Sequence, residues 1–412
     1  MANSPVVSRF LKYVTFDTGA VEGADTVPSS EGQLVFGRFL AEELHRVGLS
    51  DVSCDDHAYV MATLPSNAGL DVPTIALIAH LDTAVEVTGA GVKPRVFKYE
   101  GGDVILDALK GLRMEERKFP ELSRFRGQKI IVTDGNTLLG ADDKAGIAAI
   151  IEAVKWYVDN PGERHGTVKV VFTPDEEIGH GASLLDLQTL GADFAYTFDG
   201  GDVGELCWET FNAARATVKT TGRSIHPGTA KGKMKNALLL LMEYLEKLPA
   251  TERPENTEGR EGFYHVTEIA GDVEMALAKL LVRDHDRKKF EERKKLLGTI
   301  ASQIEAFHGR GSCSVSIRDQ YYNMADKLSN TMYVVEYARE AMRRSDVEPV
   351  EKPVRGGTDG SALSWRGLPT PNIFAGGLNA HGRYEFLPVR SLEKSYEVAR
   401  RLIGVIAEHG QR

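Results

Sequence analysis

Cysteine is scarce in this chain, and the few that occur are poorly placed for cross-linking. The 412 residues include three cysteines, Cys54, Cys207 and Cys313, an odd number spread far apart. Such spacing fits reduced thiols better than a disulfide framework or a zinc site made of thiolates. A metal ion bound to this chain would therefore need oxygen and imidazole ligands.

Long apolar runs and an excess of positive charge are also missing. No apolar run reaches the roughly 20 residues that span a bilayer, and Met1–Pro5 lacks the basic start and apolar core of a secretory signal. We therefore expect a cytoplasmic protein with no membrane partner. The net charge of -9 gives no electrostatic footprint for nucleic acid, so polyanions are not expected as partners.

What the chain does contain is the composition of an ordinary globular enzyme. Hydrophobic residues make up 42% and charged residues 26% of it. At 412 residues it is too long for one simple core, so two domains are expected. Apolar residues at helical spacing predict an amphipathic helix over Glu31–Val47, and continuous apolar runs predict buried strands, which together indicate an α/β fold.

One stretch combines a buried strand with a concentration of charge. The apolar, β-branched run Val168–Thr173 reads as a buried strand and is followed by Pro174 and the three acids Asp175–Glu177. Adjacent carboxylates repel one another, and at the end of a central strand they are stable only if protons or cations offset them. A solvated acidic turn is the alternative for a short charge run.

Polar residues end other predicted strands too. The run Thr74–Ala79 leads into His80 and Asp82, which project to the same side because side chains alternate along a strand, and a later apolar run ends in Asp199. Asp142 opens a predicted helix, where an acidic helix cap is the alternative explanation. Ligands of open α/β sheets bind outside the carboxyl ends of the strands, so these residues are expected to form one site.

The middle of the chain has a different pattern, which predicts a separate domain. Residues 211–321 read as strand, helix, two strands, a long charged helix and a final strand, the order βαββαβ of a two-layer α+β lid. Residues 1–210 and 322–412 then form a larger domain with a mixed central sheet flanked by helices. The irregular residues 84–140 are expected to be hairpins and loops that rim the strand ends.

The candidate residues have the composition of a paired metal site. They comprise two histidines and five carboxylates: His80, His381, Asp82, Asp142, Glu176, Glu177 and Asp199. Imidazole and carboxylate ligands suit zinc, manganese or cobalt, and so many exceed the needs of one open catalytic zinc. Two metals sharing a bridging carboxylate explain the number, and a water between them loses its proton near neutral pH and becomes a nucleophile. Because Glu176 and Glu177 are adjacent and cannot easily point the same way, we expect one to bind metal and one to act as general base.

Six motifs in these regions resemble a known family, the co-catalytic dizinc exopeptidases, which include succinyl-diaminopimelate desuccinylase and glutamate carboxypeptidases. They are AHLDT (79–83), LLGADDKAG (138–146), PDEEIG (174–179), FDGG (198–201), IHPGTAKGKMKNA (225–237) and HGRYEF (381–386). The resemblance covers essentially the whole chain and implies a zinc-dependent peptidase with an inserted lid. The last two motifs look specifically like the tripeptide aminopeptidases of the family, which implies release of the N-terminal residue from short peptides, chiefly tripeptides.

Carried over motif by motif, the resemblance implies two zinc ions per subunit. One zinc would be held by His80, Asp142 and Asp199, and the other by Asp142, Glu177 and His381, with Asp142 as the bridge. In the same pattern Glu176 would be the general base, and Asp82 would orient and polarise His80. Cobalt and manganese stay open as native metals.

The resemblance also implies contacts to a peptide substrate. In family relatives the histidine that matches His226 stabilises the tetrahedral oxyanion, often from the neighbouring subunit; a turn histidine without a ligand is the alternative here. Arg283 and Arg355 are candidates for gripping a peptide carboxylate through paired hydrogen bonds, although structural arginines are common. The predicted substrate-binding set is completed by Asn236, Thr358 and Asp359.

Alternatives from two classes stay open at this point. Dipeptidases, carboxypeptidases and N-acyl-amino-acid amidohydrolases of the same family use the same metals. A metal-dependent peptide-binding protein without catalysis is the alternative from another class, although the presence of both Glu176 and Asp142 argues against it. The lid domain is a candidate homodimer interface, which no sequence feature proves.

Overall fold

Residues 3–68 and 72–410 are described by the computed structural model and divide into two units. The larger unit comprises Met1–Trp208, Lys327–Lys352 and Thr358–Arg412, and the smaller comprises Glu209–Asp326 and Pro353–Gly357. No helix in the described ranges is both long enough and apolar enough to traverse a bilayer.

The helices and strands are numbered along the chain. The helices are α1 (Pro5–Tyr13), α2 (Glu31–Val47), α3 (Ala141–Asp159), α4 (Leu187–Leu190), α5 (Ala237–Glu246), α6 (Arg287–His308), α7 (Ala325–Leu328), α8 (Tyr333–Arg343), α9 (Asp359–Trp365) and α10 (Val389–His409). The strands are β1 (Ser50–Cys54), β2 (Val60–Leu64), β3 (Ile75–His80), β4 (Arg95–Lys98), β5 (Val104–Asp107), β6 (Leu112–Met114), β7 (Lys129–Val132), β8 (Val168–Thr173), β9 (Phe194–Gly200), β10 (Glu205–Cys207), β11 (Asn212–Thr221), β12 (Phe263–Gly271), β13 (Met275–Asp284), β14 (Cys313–Tyr321), β15 (Val350–Glu351), β16 (Asn372–Phe374) and β17 (Phe386–Pro388).

The larger unit is built on a mixed sheet that, within the described residues, has the strand order β1-β2-β8-β3-β9-β16-β10-β15. Strands β8, β3, β9 and β16 run parallel to one another, whereas β2 pairs with β8 and β10 pairs with β16 antiparallel. The carboxyl ends of the four parallel strands therefore lie at one edge of the sheet.

Both faces of this sheet are covered, as its continuous apolar strands require. Leu77 and Val170 lie in a core with residues of α1, α2, α3, α8 and α10. Ile78 and Val171, each one position further along its strand, lie in a second core with residues near α4 and α9. The alternation of side chains along β3 and β8 thus creates three layers, and it confirms the predicted α/β fold with a mixed central sheet.

Residues 84–140 contain four strands in the described structure. Strands β4 and β7 form an antiparallel sheet with β17 from later in the chain, and β5 pairs with β6 in a hairpin. The sheet has its own apolar core, which includes Tyr99, Ile130 and Phe386. Since β17 directly follows Glu385, this small core supports the end of the segment that carries His381.

The smaller unit has the predicted βαββαβ order, from β11 through α5, β12, β13 and α6 to β14. Its antiparallel sheet has the strand order β12-β13-β11-β14. Residues of α5 and α6, among them Leu241 and Leu297, pack with Val218 and Leu280 of the sheet in a separate core. The inserted two-layer α+β architecture is confirmed.

Candidate active site

The candidate ligands of the larger unit lie where its parallel strands end. His80 is the last residue of β3 and lies beside Thr173, the last residue of β8. The next strand, β9, carries Asp199 at its carboxyl end. Asp142 precedes the regular part of α3, because its φ and ψ angles of -84° and 103° are not helical. Strand direction and register therefore bring together side chains that are far apart in the sequence.

The imidazole of His80 is buried and held on both sides. Its Nδ1 lies 3.1 Å from the backbone oxygen and 3.3 Å from the carboxylate Oδ1 of Asp82. Both are acceptors, so Nδ1 donates to Asp82 and Nε2 is the ring atom left to bind a metal. This Nε2 faces Asp142 Oδ1 at 2.9 Å and Asp199 Oδ1 at 3.5 Å. The first predicted ligand group is thus brought together.

The second predicted ligand group surrounds His381. Its Nε2 lies 3.4 Å from Asp142 Oδ2 and 3.1 Å from Glu177 Oε2. On the opposite side of the ring, Nδ1 lies 3.6 Å from Glu86 Oε1. The side chain of His381 is 43% exposed, against 2% for His80. The two oxygens of Asp142 therefore face one histidine each.

This donor set fits divalent metal ions. Among the described residues, His80, Asp142 and Glu177 form one group with ligand atoms within 4.8 Å of one another, and His80, Glu176 and Asp199 form another. Glu177 Oε1 is buried and finds no hydrogen-bond partner in the described part of the chain, which a bound cation would correct. The geometry alone would allow either Glu176 or Glu177 to bind metal.

The charges of the cluster show the same need for a cation. Burial, reinforced by the Asp142 charge, raises the pKa of Asp199 to about 7 and that of Glu177 to about 9. A hydrogen bond to Asp142 raises the pKa of His381 to about 10. Carboxylates packed this closely hold protons unless a cation replaces them, and bound metal ions reverse these shifts.

The Glu176–Glu177 turn is fixed by a carboxylate on the neighbouring strand end. Residues Glu176–Ile178 form one turn of 3-10 helix directly after β8. The backbone N–H groups of Glu176 and Glu177 each donate to a different oxygen of Asp82, both at 3.0 Å. Asp82 therefore holds the turn as well as the His80 ring.

Asp175, the remaining acid of this run, is buried and anchors the turn from the other side. Its carboxylate accepts the backbone N–H of Ser29 at 2.7 Å and Gln33 Nε2 at 2.7 Å. Its own N–H donates to Gln33 Oε1 at 3.0 Å. The acidic run is thus no solvated turn, and Asp175 fixes it to the start of α2.

Two buried acids of the site were not predicted from the sequence. Asp143 accepts the N–H groups of His80 and Gly146, each at 3.2 Å. Glu385 accepts the N–H groups of Leu139 and Gly140 at 2.7 Å and that of Asp142 at 3.1 Å. Asp143 lies in the motif 138–146 and Glu385 in the motif 381–386, so the motifs could have drawn attention to them. Their backbone N–H partners can be identified only in the structure.

Gly146 allows α3 to pack directly against β9. A Cβ at this position would lie 2.0 Å from the backbone oxygen of Phe198 and 2.5 Å from Asp143 Oδ1. Only glycine permits this close approach. The helix that follows Asp142 is therefore held against the strand that carries Asp199.

Two predicted substrate contacts, Thr358 and Asp359, lie at the start of α9 in the larger unit. Thr358 is the N-cap of α9, and its backbone N–H donates to Ser361 Oγ at 3.3 Å. Asp359 is buried and accepts Thr173 Oγ1 at 2.7 Å. Burial raises the pKa of Asp359 to about 6, against the lowering effect of the Thr173 hydrogen bond. The Asp359 side chain is thus engaged within the larger unit, whereas the buried Thr358 Oγ1 has no hydrogen-bond partner among the described residues.

The predicted arginines of the smaller unit also have partners inside it. Arg283 donates to the backbone oxygens of Ala214 and Val282, and to Gln320 Oε1. Arg355 donates to the backbone oxygens of residues 259 and 261 and to the Thr257 side chain, and it stacks on Phe211 and Phe263. A peptide carboxylate would have to compete with these acceptors.

His226 and Asn236 differ in what they leave accessible. Asn236 is the N-cap of α5, and its side chain accepts the Leu238 N–H at 3.0 Å. His226 is exposed, and its Nδ1 accepts the Gly228 N–H at 3.2 Å. An accepting Nδ1 places the proton of the neutral ring on Nε2, which leaves an N–H donor facing outward.

An α/β unit with paired histidine and carboxylate groups at its sheet edge, interrupted by a two-layer insertion, defines a metal-dependent peptidase. Residues 125–404 match the family described as Peptidase family M20/M25/M40, and the chain belongs to that family.

Relatives within the family match nearly the full length. The chain is 52% identical over 402 residues to Peptidase T of Parabacteroides distasonis, covering 98% of this chain and 99% of the relative. It is 51% identical over 394 residues to Peptidase T of Clostridium botulinum, covering 95% of this chain and 97% of the relative.

Solved structures agree with the fold. The aminopeptidase PepT of Bacillus cereus has a TM-score of 0.76 at 25% identity, with 98% of each chain covered. A tripeptidase of Staphylococcus aureus has a TM-score of 0.79 at 24% identity over 98% of each chain. A dinuclear metal-binding peptidase of the M20 family from Bacillus subtilis has a TM-score of 0.67 at 13% identity, again over 98% of each chain.

Proposed function

We propose that this chain is a metallo-aminopeptidase that releases the N-terminal residue of tripeptides with the help of two zinc ions. The observation that carries the proposal is the position of Asp142, whose two oxygens face His80 and His381 at 2.9 and 3.4 Å. A carboxylate placed in this way can bridge two metal ions, the arrangement of a paired metal centre. The choice of tripeptides follows the names of the relatives, Peptidase T and tripeptidase.

The proposed ligands form two sets that share one residue. They are His80, Asp142 and Asp199 for one ion, and Asp142, Glu177 and His381 for the other. When bound, such ions polarise a carbonyl oxygen and lower the pKa of water. The buried, unpartnered Glu177 Oε1 supports this assignment.

Glu176 is left as the proton carrier. Its backbone is fixed by Asp82, so its carboxylate is held at the edge of the ligand group with His80 and Asp199. In the proposed reaction Glu176 accepts a proton from the attacking water and passes it to the amine that leaves when the peptide bond breaks. Asp82 holds the Nδ1 proton of His80, so that Nε2 stays available as a ligand.

His226 is proposed to stabilise the oxyanion of the tetrahedral intermediate. Its exposed ring and outward Nε2–H donor support that role, because oxyanion stabilisation requires a donor and not an acceptor. A His226→Ala variant is expected to lose activity through kcat, by about a hundredfold or more. A change confined to KM would contradict the proposal.

A peptide panel on metal-reconstituted enzyme tests the activity. Metal-free protein is loaded with two equivalents of zinc and given di-, tri- and tetraalanine with free N-termini, together with N-acetyl-trialanine. The proposal expects free trialanine to be hydrolysed best, at its first bond, and the acetylated peptide to resist. Preference for the dipeptide, release of the C-terminal residue or cleavage of the acetylated peptide would contradict it and indicate one of the related hydrolases.

The proposal also includes zinc as the native metal, a homodimer formed through the smaller unit, and a cytoplasmic location. Zinc is tested against cobalt and manganese by separate reconstitution of metal-free protein and by metal analysis of protein purified without added metal. A homodimer through the smaller unit is tested by light scattering during gel filtration. A reducing, cytoplasmic location is supported by the free thiols Cys54, Cys207 and Cys313.

A further inference from the structure

Glu385 is a buried acid beside the proposed metal centre that serves there neither as ligand nor as base. Its residue is 2% exposed. Oε2 accepts the N–H groups of Leu139 and Gly140, each at 2.7 Å, and Oε1 accepts the N–H of Asp142 at 3.1 Å. Three backbone donors therefore fix this carboxylate in one orientation.

The three N–H donors and the Glu385 acceptor belong to two different loops, each of which carries a proposed metal ligand. Asp142 ends the loop that leads into α3, whereas Glu385 follows His381 in the loop that leads into β17. The Glu385 carboxylate therefore joins the loop of the proposed bridging ligand to the loop of the exposed ligand His381. The connection is independent of any metal, because it uses backbone N–H groups.

The loop that carries His381 needs such a connection. Nε2 of His381 must stay near Asp142 Oδ2, which is 3.4 Å away, although the His381 side chain is 43% exposed. Strand β17 begins at Phe386, which pairs with Val132, so the loop is anchored on its far side by the small sheet. On the Asp142 side the anchor is Glu385.

The chemistry of Glu385 suits a fixed anchor. The N–H groups of Leu139, Gly140 and Asp142 converge on its two oxygens at a buried position. A charged carboxylate accepts hydrogen bonds about twice as strong as a neutral acceptor does. An amide of the same shape would turn an NH2 group toward backbone N–H donors, which leaves at least one of them unpaired.

We propose that Glu385 is a positioning residue that couples the Asp142 loop to the His381 loop, so that the two ligands stand at binding distance before metal arrives. The inference rests on the proposed metal centre and adds a residue to it. Its role is exerted through Asp142 and His381, and Glu385 itself touches neither substrate nor metal.

Zinc affinity measured without substrate tests the coupling. Glu385→Gln is compared with Glu121→Gln, since Glu121 Oε1 accepts a hydrogen bond from Nδ2 of Asn379, in the loop that carries His381, at 2.8 Å, and the described residues show no hydrogen bond from Glu121 to the Asp142 loop. Competition with a fluorescent chelator is expected to show a 10- to 100-fold loss of affinity at one of two zinc sites in Glu385→Gln. The absorption spectrum of the cobalt-loaded protein should change as well. Glu121→Gln should match the wild type in both measurements.

A purely structural role predicts a different result. Glu385→Gln would then melt at a lower temperature but bind two zinc ions with wild-type affinity and keep the wild-type cobalt spectrum, which would overturn the inference while leaving the peptidase proposal intact. A wild-type protein that binds no zinc would overturn the metal centre and this inference together.

Hydrogen–deuterium exchange on the metal-free wild type tests the inference without a variant, and so still applies if Glu385→Gln does not fold. The inference expects the amides of Leu139, Gly140 and Asp142 to be protected without metal, because their acceptor is a side chain. Exchange of these amides at the rate of unprotected peptide, with protection appearing only after zinc is added, would overturn it.

Discussion

The backbone N–H of Glu177 donates to Oδ2 of Asp82 at 3.0 Å, which ties the end of one parallel strand to the turn after its neighbour. The same carboxylate accepts the Glu176 N–H through Oδ1 and lies 3.3 Å from His80 Nδ1. Asp82 thus orients one predicted ligand, and it also fixes the backbone of a second ligand and of the proposed base.

Asp82→Asn should therefore impair more than metal binding. The amide retains one acceptor oxygen, so either the turn or the His80 ring loses its partner. We expect activity to fall by roughly 10- to 100-fold, and kcat to remain low when zinc is saturating. Steady-state kinetics at increasing zinc concentration provides the measurement. Full recovery of kcat at high zinc would show that Asp82 acts only on the His80 ring.

Glu176→Ala should abolish turnover while both metals stay bound. Loss of a general base costs about 10²- to 10⁴-fold in kcat. Metal analysis beside kinetics decides between base and ligand, because Glu176 also lies within binding distance of His80 and Asp199. Loss of one metal equivalent in this variant would mean that Glu176 is a ligand and that the base is elsewhere.

His381→Ala should remove one of the two metals. Its Nε2 is close to Glu177 and Asp142, and its removal leaves the second ion with carboxylates alone. The expected result is one zinc per chain and at least a hundredfold loss of activity, a factor that corresponds to about 2.7 kcal/mol. The matched control is His180, an exposed histidine that follows the Glu176–Ile178 turn. His180→Ala should retain two zinc ions and full activity.

Chelation should destabilise the larger unit. Without cations the buried carboxylates of Glu177 and Asp199 must hold protons, because burial and then the Asp142 charge raise their pKa values to about 9 and about 7. Zinc present at about a thousand times its Kd adds about 4 kcal/mol to the free energy of unfolding. Thermal melting should therefore shift down by about 10 °C in EDTA and recover with zinc. Recovery with calcium in place of zinc would argue against a site containing histidine.

Gly146→Ala should be strongly destabilising. Its new Cβ would meet the Phe198 backbone oxygen at 2.0 Å, and neither backbone can move without displacing α3 or β9. The expected loss in free energy of unfolding is about 3 kcal/mol. Gly298→Ala in α6 is the control, because a Cβ there meets nothing within 4 Å and alanine favours a helix by about 1 kcal/mol. Urea titration should give opposite signs for the two variants.

The fold follows from local patterns where those patterns are long. The helix predicted over Glu31–Val47 has those bounds, and the β-branched runs at Val168–Thr173 and near Ile75–His80 form the central strands. Strands β10, β15 and β17 have two or three residues each, which is too short for any periodicity to show. Their pairing depends on neighbours supplied by distant parts of the chain.

The candidate site was also predictable in part. Strand ends could be predicted to carry its polar residues, because parallel strands present their carboxyl ends together. Which N–H each buried acid accepts could not be predicted: Glu385 lies 246 residues from Leu139, and Asp175 lies 142 residues from Gln33. Arg283 likewise reads as a carboxylate binder in the sequence, whereas in the structure it donates to carbonyl oxygens.

The strand order of the large sheet also constrains how the protein folds. Strand β16 lies between β9 and β10, although β16 comes after the whole inserted unit in the chain. During synthesis β9 and β10 therefore cannot join into one sheet until residues 372–374 emerge, and until then Asp199 stands at the edge of an incomplete sheet. Such non-local pairing makes folding slow relative to that of proteins built from local contacts. The inserted unit, whose strands pair among themselves, can be complete while the larger unit still lacks β16, β17 and its last two helices.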